Sequence, residues 1–280
     1  ARPRPDAASS SRSAKAKPRH LAFRKRALRE TEALFFFVWN HMAAPEPPIE
    51  RGDPALAVRA IDFVRSQQVT FCAGRDKLDV LLAAVSRCAE RLPGGVYIEA
   101  GVAMGGSAIV IAAAKPKDAP LYLFDVYEML PAPSEADGER ASAVYAAFEA
   151  GTVSDPVSRK YFDNRGDLLS LVKENFAAMG LDPAAYNVDF RKGLFQDTLK
   201  IDEPVAFCHV DCDWHDSVVL CIESVAPHML PGGIIVFDDY SSFEGCREAV
   251  DRWLDASPQF TVIHKGWTLA AQRSSEGPTP

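Results

Sequence analysis

The chain contains no C-x-x-C pair, and its six cysteines (Cys72, Cys88, Cys208, Cys212, Cys221 and Cys246) are scattered. That spacing excludes a disulfide-dense scaffold. A thiol inside an apolar run packs as a small hydrophobe, so a reducing cytoplasm is the expected compartment. Long apolar runs are missing too. Leu34-Phe-Phe-Phe-Val-Trp is far shorter than the roughly 18 residues a spanning helix needs. Nor is there a basic excess: the net charge of −7 argues against a nucleic-acid partner. Internal repeats are absent.

What is present is enough to bury a core. With 280 residues and 48% hydrophobic content, the chain can build one large core, or one core with an appendage. Residues 1–20 are rich in Arg, Lys, Ser, Ala and Pro and hold one acid, Asp6. Such a segment reads as a disordered basic tail, or alternatively as an organelle transit peptide. Residues 21–74 read as a helical extension, in which Phe35–Phe37 are expected to dock on the main domain or a second subunit. Pro54–Arg65 has helical spacing. A stronger helix from Asp76 to Arg91 places Leu78, Leu81, Val85 and Cys88 on one face and stops at Pro93-Gly94-Gly95.

From there to the end, residues 75–280 form the main domain, and apolar strand-length runs alternate with helical segments. Strands are expected at Val96–Ala100, Leu121–Phe124, Val188–Arg191, Val205–Val210 and Gly233–Phe237. Helices are expected at Ser107–Ala114, Leu168–Met179, Asp216–Met229 and Phe243–Ala256. This alternation predicts an α/β fold: a mostly parallel open sheet with helices on both faces. Phe260–His264 and Trp267–Ala271 read as an antiparallel hairpin at its edge. Residues 131–165 interrupt the pattern with a polar insertion, helical near Ala141–Ala150. Following a strand's carboxyl end, it is placed to act as a lid.

Chemistry concentrates at strand ends. Asp211-Cys-Asp213-Trp-His215 and Asp238-Asp239 each follow a buried strand, which brings several carboxylates to one rim. Unpaired like charges there repel, so the arrangement calls for a cation or for protonation. Zinc is disfavoured, because Cys208 and His209 point to opposite faces of their strand. At the first strand, Glu99-Ala-Gly101-Val-Ala-Met-Gly105-Gly106-Ser107 joins strand to helix. Glycines allow a tight turn, and the helix start offers free N–H groups. The next strand ends in Asp125, where an acid can accept ribose hydroxyls. The loop lacks G-x-G-x-x-G spacing and a P-loop lysine, and no tyrosine has a lysine four places on. S-adenosylmethionine fits better: it carries no phosphate, and its cationic groups tolerate Glu99.

Several ordered blocks then carry a resemblance. They are Gly95-Val-Tyr-Ile-Glu-Ala-Gly-Val-Ala-Met-Gly-Gly-Ser, Phe124-Asp-Val-Tyr-Glu-Met-Leu-Pro-Ala-Pro, Lys192-Gly-Leu-Phe-Gln-Asp-Thr-Leu, His209-Val-Asp-Cys-Asp-Trp-His-Asp-Ser, and Phe237-Asp-Asp-Tyr with Gly245-Cys-Arg-Glu-Ala-Val-Asp. Over residues 75–270 the chain resembles the macrocin O-methyltransferase family. One departure is Ala103-Met104, where the family leads one to expect a bulkier pair, often with Trp or Arg. The resemblance implies a class I methyltransferase (Rossmann-like) sheet with Glu99, Gly101, Gly105, Ser107, Asp125, Lys192 and Gly193 around S-adenosylmethionine. It also implies that Asp211, Asp238 and Asp239 hold Mg²⁺ or another divalent cation. Hard carboxylates suit such an ion.

The expected reaction is methyl transfer to a metal-held hydroxyl of a small molecule, a sugar or another natural-product-like acceptor. Neither a nucleic acid nor a membrane is an expected partner; a homo-oligomer, specifically a dimer, is. The resemblance makes Asp211 the base, and His215, only four residues on, is the alternative because histidine as a residue type serves as a proton acceptor. His215 also reads as a surface histidine at a helix start, and Asp213 as the cap of that helix. Two other functions stay open: a metal-dependent glycosyltransferase using Asp211-x-Asp213, and a non-catalytic cofactor-binding protein.

Overall fold

A computed structural model describes residues 53–275, apart from residues 75 and 93. The expected tail and the Phe35–Phe37 cluster lie outside the described residues.

Helix α1 (Pro54–Gln67) starts where Asp53 accepts hydrogen bonds from the backbone N–H groups of Ala55 and Leu56, with proline at the first helical position. Helix α2 (Lys77–Arg91) buries Leu78, Leu81, Ala84, Val85 and Cys88 along one stripe. Strand β1 (Val96–Ala100) is buried throughout. Helix α3 (Gly106–Ala114) is buried on every side, because α1 and α2 pack over it against the sheet. That explains a helix with no polar face. At its end the buried Lys115 ammonium donates to the carbonyls of Pro116, Lys117, Ala119 and Tyr186, fixing the turn into the next strand.

Strand β2 (Leu121–Asp125) leads into the insertion, which folds as α4 (Gly138–Glu149) and α5 (Pro156–Asn164). Helix α6 (Leu168–Met179), β3 (Val188–Lys192), the short α7 (Phe195–Thr198) and β4 (Val205–Val210) follow. The chain continues through α8 (His215–Val225), β5 (Met229–Phe237), α9 (Glu244–Ala256), β6 (Phe260–Lys265) and β7 (Leu269–Arg273). The helix expected to reach Met229 ends at Val225. Pro227 cannot donate to a helical carbonyl, so a 3-10 turn over Ala226–His228 takes over and β5 begins early.

The strands order as β3-β2-β1-β4-β5-β7-β6. β1 to β5 are parallel, while β7 runs antiparallel to β5 and β6. Alternation divides the core: Tyr97 and Phe207 face α1, α2, α3 and α6, while Ile98 and Cys208 face α8 and α9. Of the three tryptophans in the described residues, Trp214 packs edge-on to Phe243 and Trp253 tilts against Phe260. Trp267 is 44% exposed at the hairpin turn. Among the described residues no helix is long and apolar enough to cross a membrane.

After β1 the chain winds outward through β2 and β3, then returns to β4 on the other side. The order therefore reverses between β1 and β4, and open α/β sheets bind ligands in the crevice at such a point.

Candidate active site

Two loops meet in that crevice. Gly101, just past β1, has φ +90°, and a Cβ there would stand 1.8 Å from the Asp211 carbonyl oxygen. Only glycine lets the two backbones touch. The loop beyond is organised by Asp125. Its Oδ2 accepts from the N–H groups of Val102 (2.7 Å) and Ala103 (2.9 Å), and its Oδ1 from Tyr127 N–H (2.6 Å). With two donors already on Oδ2, the acceptor capacity left is mainly on Oδ1, enough for one ribose hydroxyl rather than two. Burial raises the Asp125 pKa although these bonds oppose it. Ala103 (φ +47°), Tyr127 (φ +52°) and Asp213 (φ +61°) all sit left-handed around this rim. Each such residue stores about 1–3 kcal/mol of strain, and strain of this kind gathers at functional sites.

Glu99 lies beneath the loop, fully buried. Its Oε1 is 2.8 Å from His209 Nδ1 across the β1–β4 pairing, while its Oε2 has no hydrogen-bond partner. Burial raises its pKa; His209 and, less strongly, the nearby Ser107 hydroxyl oppose it, although Ser107 does not reach hydrogen-bonding geometry with Oε2. A buried carboxylate oxygen left without a donor next to a glycine loop fits a cationic or N–H-bearing ligand group. Ser107 is buried in the first turn of α3. Gly193 turns at φ +145° with its N–H on the Asp125 carbonyl at 3.0 Å. The Lys192 side chain goes elsewhere: it pairs with Glu128 at 2.8 Å on the open rim.

The loops after β4 and β5 carry the acids. Asp211 N–H donates to the Ala100 carbonyl (2.9 Å) and Asp238 N–H to the Val210 carbonyl (3.0 Å), so the strand ladders hold both residues. Lys77, at the start of α2, hydrogen-bonds Asp238 with its ammonium, which is also 3.9 Å from Asp239 Oδ1. His209 Nε2 is 3.8 Å from Asp238 Oδ1, and Cys72 Sγ is 3.6 Å from Asp211 Oδ2. Asp239 Oδ2 accepts from the Asp213 N–H at 3.3 Å. Among the described residues two trios converge with ligand atoms within 4.8 Å, Cys72–Asp211–Asp238 and Glu99–His209–Asp211; Asp239 belongs to neither.

The electrostatics follow from burial and crowding. Burial, then the charges of Asp238 and Asp239, push Asp211 well above the ordinary carboxylate range. Burial and Asp238 lift Asp239 to about 6. Burial also works against ionised Asp238, yet His209 and Lys77 outweigh it and hold this carboxyl at about 2. For His209, burial opposes the charge, but Asp238 and Glu99 raise it to about 10. Asp211 and Asp239, raised by burial and by neighbouring charge, stand beside ionised Asp238 in a donor set whose crowding a divalent cation would relieve, and oxygen-rich donors suit Mg²⁺. The residues fit such an ion through Asp211 and Asp238, with Asp239 beside them.

His215 stands apart from that cluster. Its Nδ1 is 2.8 Å from Asp216 Oδ1, and its backbone N–H donates to Asp137 Oδ1 at 2.5 Å. The acid at the start of α8 is therefore Asp137 of the insertion and not Asp213, whose expected capping bond is absent. Trp214 Nε1 donates to the Pro131 carbonyl at 2.8 Å, and the Tyr161 hydroxyl donates to Glu128 O at 3.0 Å. The insertion is thus tied at its root to the loop after β4. Its Tyr161 and Phe148 also meet Phe71, with ring centroids 5.9 and 6.4 Å away.

Lys77, His209, Cys72 and Asp137 were not legible as site residues. His209 alone carried a signal, since it precedes Asp211 inside an apolar run. Lys77 reads in the sequence as an ordinary polar helix start.

The strand order, the reversal at β1/β4 and the glycine and acidic loops define a class I methyltransferase fold. The structure of the O-methyltransferase NovP shares it, with a TM-score of 0.54 at 21% identity, over 75% of this chain and 87% of that one. The model of the Macrocin-O-methyltransferase (TylF) family matches residues 31–261, and the chain belongs to that family of O-methyltransferases. Among its relatives, 8-demethyl-8-(2,3-dimethoxy-alpha-L-rhamnosyl)-tetracenomycin-C 4'-O-methyltransferase of Streptomyces olivaceus is 30% identical over 76% of this chain and 74% of its own. Demethyldecarbamoylnovobiocin O-methyltransferase of Streptomyces niveus is 26% identical over 61% and 64%. Family membership sets aside the glycosyltransferase alternative.

Proposed function

We propose that the protein transfers a methyl group from S-adenosylmethionine to a hydroxyl of a small natural-product acceptor, a sugar hydroxyl in the first instance, with a divalent cation at the acidic loop. The observation that carries this reading is the joint at Gly101. It sets the glycine loop, with the orphaned Glu99 oxygen beneath it, against Asp211, and Asp238 and Asp239 follow the neighbouring strand. The sugar comes from the relative whose name includes a rhamnosyl substrate.

Gly101, Gly105 and Ser107 would face the cofactor's methionine end, with Glu99 Oε2 accepting from a donor there and Asp125 from a ribose hydroxyl. Asp211 and Asp238 would hold the cation, Asp239 adding charge; when bound, such an ion lowers the pKa of an alcohol and fixes its angle. Asp211 is the base this geometry favours, because burial and the neighbouring carboxylates raise its proton affinity. His215 is the second reading; the Asp216 contact would polarise its ring. The lid and Phe71 would close over the acceptor and exclude water. All six cysteines are free thiols, which suits a cytoplasmic setting.

The test is methyl transfer from labelled S-adenosylmethionine to a panel of glycosylated aromatic acceptors, before and after chelation. Activity lost on chelation and restored by Mg²⁺ is the expected result. Unchanged activity in the chelated enzyme would remove the cation, and failure to bind S-adenosylmethionine by calorimetry would remove the cofactor.

A further inference from the structure

Lys77 is an unusual residue for its position. It occupies the first turn of α2, where helix N–H groups already present partial positive charge, so an ammonium there is opposed by the helix. Its side chain is 9% exposed, and lysine is almost never buried without a partner. Its surroundings remove both objections. The ammonium hydrogen-bonds Asp238, lies 3.9 Å from Asp239, and feels Asp211 and Asp213 as well. One lysine from outside the sheet therefore meets the carboxylates gathered at the ends of β4 and β5.

We infer that Lys77 is the resident cation of the acidic loop: its ammonium holds Asp238 and Asp239 in place when no divalent ion is bound, and it weakens the loop's affinity for such an ion by sharing the same carboxylates. The inference rests on the proposed cation site. Its physical content is a competition. The Lys77 charge relieves part of the repulsion among these acids, and a second cation would compete with it for the same carboxylates. Any divalent ion bound to Asp211 and Asp238 then sits close to a like charge that cannot leave, because the backbone of α2 fixes its origin. Lys77 is thus a positioning residue, and the reaction asks nothing of its proton.

The experiment compares the full chain with Lys77→Met, Lys77→Gln and Lys77→Arg after chelation and dialysis. Calorimetric titration with Mn²⁺ should show Lys77→Met and Lys77→Gln binding about tenfold tighter or more than the unaltered protein, since a like charge has gone. Lys77→Arg should bind as the unaltered protein does. In chelator, the two neutral variants should melt several degrees lower and recover most of that loss on adding Mn²⁺, while Lys77→Arg should show neither effect. A neutral variant that folds only with Mn²⁺ present also supports the inference. Unchanged or weaker Mn²⁺ binding in the neutral variants overturns it, as does an equal gain in Lys77→Arg, which would trace the effect to size. If no protein binds Mn²⁺, the cation site itself is refuted. The holding role of Lys77 is then decided by the chelated melts, where equal melting of all four proteins overturns it.

Discussion

Asp238 sits between two buried partners, the Lys77 ammonium and the His209 imidazole 3.8 Å away, and this changes what its removal does. Asp238→Ala removes the hydrogen-bond partner of Lys77 and leaves His209 with Glu99 alone, a loss of about 3–5 kcal/mol for a broken buried pair. Asp238→Asn keeps the volume and an acceptor oxygen, so it should fold with a smaller loss yet still lack cation-dependent methyl transfer. Its S-adenosylmethionine affinity should stay within about tenfold, because that contact belongs to other strand ends. Denaturant melts and calorimetry on both variants check this; full activity in the asparagine variant would sink the assignment. Phe71 makes a separate case. It is 46% exposed beside Phe148 and Tyr161, so Phe71→Ala should raise the acceptor KM severalfold and leave cofactor binding unchanged. A changed cofactor affinity with an unchanged acceptor KM would place Phe71 on the other side of the crevice. Asp211, Asp238, Asp239 and Gly101 were readable because each follows an apolar run that could only be a buried strand. Lys77 and His209 were not, because the ion pairs that define them join residues 161 and 110 positions apart, and no local pattern encodes such a pair.

Among the elements, the insertion between β2 and α6 departs most from the sheet's rhythm. Its second helix depends on Asp155, whose carboxylate accepts from the Ser158 N–H at 2.9 Å ahead of Pro156. Slight burial works against this carboxyl's charge, but the Ser158 bonds outweigh it and lower its pKa. The stabilisation is therefore present above the ordinary carboxylate range and is lost as pH falls through the depressed value. Asp155→Ala should cost about 1 kcal/mol. Limited proteolysis should show it as faster cleavage near residue 155 with the sheet core still intact; uniform digestion of the whole chain would contradict a local role. The strands and most helices were legible, since burial on both faces of a parallel sheet writes unbroken apolar runs. The insertion showed only one helical piece because α5 is polar, and what docks the lid is the long-range bond from the His215 N–H to Asp137.

For the whole molecule, the buried ionisable groups at the sheet edge act together. Asp239 is raised to about 6, so the folded state holds its proton more tightly than the unfolded chain and loses stability as pH rises through that value. His209, raised to about 10, gives stability that is complete below the pKa of a free histidine and declines as pH rises toward its folded value. Asp238, held at about 2, does not oppose this until the medium is far more acidic. Both trends have one sign. The chelated protein should therefore melt higher near about pH 5.5 than near about pH 8, with Mg²⁺ narrowing the gap. Calorimetric scans across that interval measure it, and a higher melting point at the alkaline end would show that the cluster does not control stability.

The meeting of Gly101 with the Asp211 carbonyl fixes more than a turn. With no side chain between them, neither loop can lengthen, shift or be redesigned without displacing the other, so this joint has no adjustable spacing. Under the proposed function, variation in the acceptor would fall away from the strand ends, to the turn carrying Phe71 and the insertion after β2. A swap of those two pieces between relatives is the exchange this architecture tolerates, because the joint beneath them stays the same.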